Sequence, residues 1–174
     1  MRLERGLVQV YTGKGKGKTT AALGLALRAA GHGLRVHIVQ FLKGWPDRGE
    51  LRSIERLPGV TLREFGRQGF VDPRHPQPAD YELAGQALAE ARAALAGDVD
   101  LLILDEANVA LLFGLVSLED VLALLDARPA HVEVVLTGQG APQGLIERAD
   151  LVTEMSLVKH PYDAGVPARR GIDY

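Results

Sequence analysis

The 174-residue chain contains no cysteine. That excludes disulfides, thiolate metal sites, iron–sulfur ligation and cysteine nucleophiles together. Histidine is sparse. His32, His37, His75, His131 and His160 never stand at the i, i+4 spacing of a helical metal pair, which argues against a zinc site. Charge of one sign is lacking too: the formal net charge is −2 and the pI about 6.2, so no global basic field draws in nucleic acid. The longest apolar run, Val109 to Val116, is too short to span a bilayer. The first residues, Met1-Arg2-Leu3-Glu4-Arg5, lack the apolar core of a signal peptide. Neither a membrane nor a nucleic acid is expected as partner, and the cytoplasm is the expected location. No internal repeat or low-complexity segment interrupts the chain. A hydrophobic fraction of 47% and this length suit one domain, residues 1–174, with a full core.

One stretch organises what is present: Thr12-Gly13-Lys14-Gly15-Lys16-Gly17-Lys18-Thr19-Thr20. An apolar strand, Leu7 to Tyr11, leads in, and an almost wholly apolar helix, Lys18 to Ala30, leads out. Glycines at alternate positions let the backbone curl so that N–H groups point inward. The helix N-terminus adds free N–H groups and partial positive charge. Strand, loop and helix together make a nest for phosphate oxygens. In such a loop Lys18 reaches the outer phosphates and the Thr19 hydroxyl holds magnesium. The plainer alternative is a glycine-rich turn with solvated lysines. The common P-loop has four residues between its first glycine and Gly-Lys-Thr, which would put that glycine at position 12. Here Thr12 stands there and Gly13 comes one place late, so the loop is tighter and more basic.

The other apolar runs alternate with helical patterns. Strands are expected at Leu34–Phe41, Val60–Phe65, Leu101–Leu104, Val132–Leu136 and Leu151–Met155. The helix from Lys18 should be buried on most sides. Further helices are expected at Leu51–Leu57, Asp80–Ala96, after the Ser117 cap with Asp120 in capping-box position, and at Gln143–Arg148. Strand and helix in alternation imply a P-loop, RecA-like α/β fold: a mostly parallel sheet of five to six strands flanked by helices. Gly66 to Pro78 is a loop long enough to suggest function.

Leu101 to Leu104 delivers Asp105 and Glu106 at a strand's C-terminal end beside the P-loop. One of these two acids should hold magnesium, directly or through water. The alternative is that both are ordinary polar residues at a loop start. Thr137-Gly138-Gln139-Gly140 follows the fifth strand and is either a turn or a ligand contact. The stretch from Lys159 to Tyr174 has no regular period. It reads as a mobile tail or as a ligand-covering loop.

Taken together, these motifs resemble those of the P-loop ATP:corrinoid adenosyltransferases. The resemblance lies in the P-loop, Val39-Gln40-Phe41-Leu42-Lys43-Gly44 with Gly49-Glu50, and Leu104-Asp105-Glu106 with Asn108. Thr137 to Gly140 and the ending Lys159-His160-Pro161 through Gly171-Ile172-Asp173-Tyr174 complete it. The resemblance implies transfer of the 5′-deoxyadenosyl group of ATP to a cobalt(I) corrinoid, with triphosphate leaving. It also implies that ATP lies reversed relative to ordinary P-loop enzymes, exposing its 5′ carbon. Gly13, Lys14, Gly15, Lys16, Gly17, Lys18, Thr19 and Thr20 would bind triphosphate. Thr19 and Glu106, alone or with Asp105, would hold magnesium. Lys18, Thr19 and Glu106 would carry the catalytic roles. Arg28 matches a family arginine near the nucleotide, or is a polar tip on a buried helix. Glu50 would touch ribose or corrinoid, and Gly138 and Gln139 the nucleotide. Residues 157–174 would cover the site. A flavoprotein reductant and a homodimer are the further partners implied.

Two departures stand out. The family's Thr-Gly-Arg-Gly turn has Gln139 here, so a charge contact is lost or supplied elsewhere, with Arg67 and Arg148 as candidates. The family's Gly-Phe-Thr-Trp run reads Gly69-Phe70-Val71, without the tryptophan whose kind helps strip cobalt's lower axial ligand. Phe70 takes that part or anchors the loop on the core. Two other functions share the P-loop: a small-molecule kinase, and a non-catalytic nucleotide-binding module acting with nucleic acid. The first would need an arginine lid, which only Arg169 and Arg170 resemble, and the second is disfavoured by the net charge.

Overall fold

A computed structural model describes residues 2–173; Met1, and Tyr174 at the end of the expected covering tail, lie outside the described residues. The strands are β1 (Val8–Thr12), β2 (Val36–Phe41), β3 (Val60–Phe65), β4 (Leu101–Asp105), β5 (Glu133–Thr137) and β6 (Leu151–Glu154). They form one six-stranded sheet in the order β3-β2-β4-β5-β1-β6, and every neighbouring pair is parallel. The helices are α1 (Lys18–Gly31), α2 (Gly49–Ile54), α3 (Pro78–Ala96), α4 (Ala107–Leu112), α5 (Leu118–Asp126) and α6 (Gln143–Arg148).

Alternate residues of each strand feed two cores. Val39, Phe41, Leu102, Leu104 and Leu136 pack with Ala87 and Ala91 of α3 and with Leu124 of α5. Ile38, Ile103 and Val135 face Ala22, Ala26 and Ala29 of α1. That alanine stripe lets α1 lie close to the sheet. The expectation that α1 is buried on most sides is corrected: only the alanine stripe is buried, and Leu27 is 58% exposed. The helix has the sheet on one side and no second layer over it.

Element ends moved by a few residues where caps decide them. Helix α3 begins at Pro78 because Gln77 and Asp80 form a capping box. The apolar stretch from Val109 does not form one element. It ends helix α4 and turns at Gly114, whose φ is 67°. Strand β6 is an edge strand, exposed along its whole length. Among the described residues no helix is long and apolar enough to cross a membrane.

Two loops cross at the carboxyl end of β2 with no room for side chains. A Cβ on Gly44 would lie 2.2 Å from the Gly66 carbonyl oxygen, and one on Gly66 would lie 2.3 Å from the Lys43 nitrogen. The Leu42 amide donates to the Phe65 carbonyl at 2.9 Å and fixes the crossing. Replacing Gly66 with alanine is expected to destabilise the fold by about 1–3 kcal/mol, as overpacking does. Chemical denaturation reads this as a lower midpoint at unchanged slope. An unchanged midpoint would show that the crossing is loose.

Candidate functional site

The P-loop leaves the end of β1 and runs against the segment after β6. The Gly15 amide donates to the Met155 carbonyl at 2.7 Å. A Cβ on Gly13 or Gly15 would come within 2.4 or 2.7 Å of that same oxygen. Gly13 and Gly17 have φ of 92° and 118°, which favour glycine. The Gly15 N–H therefore faces outward, not into the nest expected for it. The Lys18 ammonium folds back and donates to the carbonyls of Gly13 and Gly15, both at 2.8 Å. Burial lowers its pKa, against the pull of the Glu106 carboxylate.

Beside the loop lies the Asp105 carboxylate, only 1% exposed. Its Oδ1 accepts from the Thr19 hydroxyl at 2.8 Å and the Thr137 hydroxyl at 2.7 Å. Its Oδ2 accepts from the Gln40 side-chain amide at 3.0 Å and from the Lys43 ammonium. Burial pushes its pKa up, but Lys43 and the hydroxyls outweigh this and hold it below the ordinary 3.8. The Glu106 carboxyl is pushed the other way, above 4.5, first by burial and then by Asp105. Two adjacent acids therefore have opposite proton affinities. The backbone is constrained on both sides of this centre: Leu42 has φ 61° and Glu106 φ 62°, the two non-glycine residues with positive φ among those described. Such conformations cost roughly 1–3 kcal/mol each and cluster where geometry is functional.

A cavity of about 580 Å³ opens over this centre. From the P-loop and helix start it receives Lys16, Gly17, Lys18, Thr19 and Thr20, and from the acidic strand end Glu106. Its far wall is Lys43, Arg48 and Glu50. Gly171, Ile172 and Asp173 of the tail line it as well. Asp173 forms an ion pair with Lys16 and accepts from the Arg169 backbone at 2.9 Å, and the Lys16 contact leads in holding its carboxyl well below the usual range. A second cavity of about 610 Å³ shares Lys18, Lys43, Arg48, Glu106 and Asp173 with the first. Its other walls are mostly apolar and aromatic, with Leu42, Trp45, Phe70, Val71, Val109 and Phe113, and the polar Gln139 beside them.

Not every expected residue reaches these cavities. Arg28 sits in the last turn of α1, ten residues and roughly 15 Å of helix beyond Lys18. It lines a separate cavity with Leu7 and Glu133 and is no part of the P-loop cavity. Gly13 and Lys14 face a third cavity with Gln139 and Gly140, on the other flank of the loop. Gln139 lines that cavity and the aromatic one. Gly138 is a turn residue: its φ is 127° and its carbonyl accepts from the buried Asn108 amide at 3.0 Å. Neither candidate for replacing the missing arginine is available. Arg67 pairs with buried Asp80 at 2.7 Å, and Arg148 with Asp126 at 2.9 Å. Phe70 is 92% exposed, so it does not anchor the loop in the core.

Reading the sequence alone placed Lys43 and Arg48 in a loop at a strand's C-terminal end, where open parallel sheets bind ligands, and Thr137 in a turn at the same edge, but gave none of them, nor Gln40, a role in the site. The signal was there for Gln40, a polar residue within the run Ile38-Val39-Gln40-Phe41 of an expected strand. For Arg48 the loop's position was the signal, but its burial was not legible, since one arginine in a charged loop looks solvated; in the fold it is 7% exposed.

The oxygen donors suit a hard divalent cation. Thr19 Oγ1 and the Asp105 carboxylate already hold a positive charge between them, the Lys43 ammonium, which lies 3.3 Å from the hydroxyl. A family model described as ATP:corrinoid adenosyltransferase BtuR/CobO/CobP matches residues 4–174. A corrinoid adenosyltransferase of Pseudomonas aeruginosa is 44% identical, over 99% of this chain and 86% of that protein. The corrinoid adenosyltransferase CobA of Salmonella typhimurium is 42% identical, over 98% of this chain and 87% of that protein. The solved structure of a KaiC-like protein from Pyrococcus horikoshii is similar in fold, with a TM-score of 0.58 at 20% identity, covering 91% of this chain and 76% of that one. Motif order and sequence likeness over nearly the whole of this chain agree, and the chain belongs to the ATP:corrinoid adenosyltransferase family of BtuR, CobO and CobP.

Proposed function

We propose that this chain transfers the 5′-deoxyadenosyl group of ATP to a cobalt(I) corrinoid, with ATP in the P-loop cavity and the corrin against the aromatic one. The observation that carries this reading is the wall the two cavities share, Lys18, Lys43, Arg48, Glu106 and Asp173. One cavity is lined by phosphate-binding groups and the other by apolar surface suited to a flat macrocycle. A group at their junction touches both.

In the reaction the cobalt(I) lone pair attacks the 5′ carbon. A cobalt–carbon bond forms, the C5′–O bond breaks, and triphosphate leaves with the bonding pair while cobalt becomes formally cobalt(III). No proton is transferred at carbon, so no general base is required. The protein's task is to neutralise the leaving group and hold cobalt and carbon in line. Lys16 and Lys18 sit where they can neutralise the departing triphosphate. Lys43 and Arg48 supply the positive charge that Gln139 does not. The Thr19 hydroxyl, Asp105 and Glu106 would hold magnesium, which would add charge against the triphosphate oxygens. Glu50, backed by Arg48 at 3.1 Å, faces the nucleotide. Trp45 and Phe70 offer apolar faces to the corrin. Residues 157–174 serve as a cover for a single catalytic domain, through Asp173 on Lys16.

Cobalt(I) is a strong reductant, and this chain carries no thiol to generate it. A flavoprotein reductant and a reducing compartment such as the cytoplasm fit that need. Exposed Leu27, Leu151 and Val152 provide apolar surface for a homodimer. A kinase reading is not favoured, because family and aromatic cavity both point to the corrinoid.

Incubation with ATP, magnesium and chemically reduced cobalamin is expected to yield inorganic triphosphate and adenosylcobalamin in equal amounts. Appearance of ADP and a phosphorylated acceptor would overturn the assignment. Replacing Lys18 with alanine should lower kcat/KM by about 10²–10³-fold, the scale for removing one donor to a developing anion. Because Trp45 is the sole tryptophan, binding of hydroxocobalamin should quench nearly all of the protein's tryptophan fluorescence; unquenched emission would place the corrin elsewhere.

Binding of Mg·ATP should weaken with falling pH as Glu106 takes up its proton, beginning above the ordinary glutamate value of 4.5. In Glu106→Gln that acid limb should be absent. Asp105 has a depressed folded pKa, so its contribution to stability is present above 3.8 and is lost only as pH falls through the lower folded value. Loss of binding should therefore precede acid unfolding in paired titration and melting measurements.

A further inference from the structure

Strand register places a polar row across the carboxyl end of the sheet. Gln40 on β2 is the partner of Glu64 on β3 and of Asp105 on β4. In a parallel sheet, register partners point to the same face. The three side chains therefore stand side by side on the α1 face, with the Thr137 hydroxyl bonded to Asp105 beyond them. The row continues a stripe that is otherwise apolar, Val36, Ile38 and Ile103.

Gln40 is completely buried and both ends of its amide are in use. Its Nε2 donates to Asp105 Oδ2 at 3.0 Å, and its Oε1 accepts from Arg48 Nη2 at 2.8 Å. These partners fix the amide's orientation, since flipping it would set oxygen against carboxylate and N–H against guanidinium. Arg48 in turn pairs with Glu64, reaches Glu50 at 3.1 Å, and donates from Nε to the Trp45 carbonyl at 3.3 Å. One unbroken chain of hydrogen bonds thus runs from Thr19 and Asp105 to the opposite wall of the nucleotide cavity.

We propose that Gln40 is a positioning residue: its amide locks the Asp105 carboxylate and the Arg48 guanidinium to one another, so that the cation-holding end of the nucleotide cavity and its Glu50–Trp45 wall act as one unit. A neutral amide suits the place. A second acid there would repel Asp105, and an apolar residue would leave Arg48 and Asp105 each with a buried, unpaired site. Gln40 itself lines neither cavity, so its effect passes through its neighbours. The inference rests on ATP occupying the P-loop cavity, as in the function proposed above.

The test is a double-mutant cycle on the full chain, with Gln40→Met and Arg48→Met made singly and together. Each variant is titrated with a fluorescent ATP analogue and magnesium, and separately assayed for adenosyl transfer. Each single change should weaken nucleotide binding about tenfold, the scale of a buried hydrogen bond to a charged group. The double variant should be within about threefold of the weaker single, because the two residues act through one contact. Gln40→Glu keeps the acceptor for Arg48 and replaces only the donor to Asp105; it should weaken binding at least as much as Gln40→Met. If Gln40→Met does not fold, Gln40→Glu decides by the same criterion. Additive losses, or a Gln40 variant that melts earlier yet binds nucleotide within about twofold of the parent, would overturn the proposal and leave Gln40 a core residue. A parent chain that binds nucleotide and shows the coupling but adenosylates no corrinoid would overturn the reaction assignment alone.

Discussion

A single buried carboxylate organises this molecule. Asp105 lies at the end of the central strand β4, almost without solvent, and survives there as an anion because Thr19, Thr137, Gln40 and Lys43 all donate to it. An isolated carboxylate in such a place would take up a proton instead. Each donor comes from a different element: the P-loop helix, the fifth strand, the second strand and the loop after it. Satisfying one charge therefore brings together the parts of the cavity that must meet a nucleotide.

The charge also divides labour between neighbouring acids. Asp105 is held ionised by its donors, while burial and Asp105 itself raise the proton affinity of Glu106. The tight loops around them are built from glycine where no Cβ fits, at Gly13 and Gly15 against Met155 and at Gly44 against Gly66. These close approaches give Lys18 and Lys43 their positions, and they leave little freedom for the cavity walls to drift.

Chemistry with a reduced metal as nucleophile asks little of a protein in acid–base terms and much in geometry. The site matches that demand. It has cations, hydroxyls and a deep carboxylate, and the one raised pKa in it belongs to an acid without a histidine or cysteine beside it. The aromatic cavity meets the phosphate cavity along Lys18, Lys43, Arg48, Glu106 and Asp173, so two substrates of very different polarity can share a junction. Gln139 shares the aromatic cavity with the cations Lys43 and Arg48.

Much of this was legible in one dimension, for a local reason. Period and composition report how each element buries its own face, so the six strands, five of the six helices and the parallel sheet followed from alternation, while the short helix α4 after Glu106 did not. The P-loop was legible because strand, glycines and helix start are contiguous. Asp105 and Glu106 were legible because a buried strand ends on them. What pattern could not carry is proximity between distant residues. The register Glu64–Gln40–Asp105, the burial of Arg48, the crossing of Gly44 over Gly66 and the descent of Asp173 onto Lys16 exist only when strands and loops are in place. By itself, then, the sequence determined the fold and the strand–loop–helix of the P-loop, because both depend on hydrophobic period and backbone freedom. The tertiary structure alone decided which charges face which, because pairing depends on register and on the few donors that come within hydrogen-bond reach.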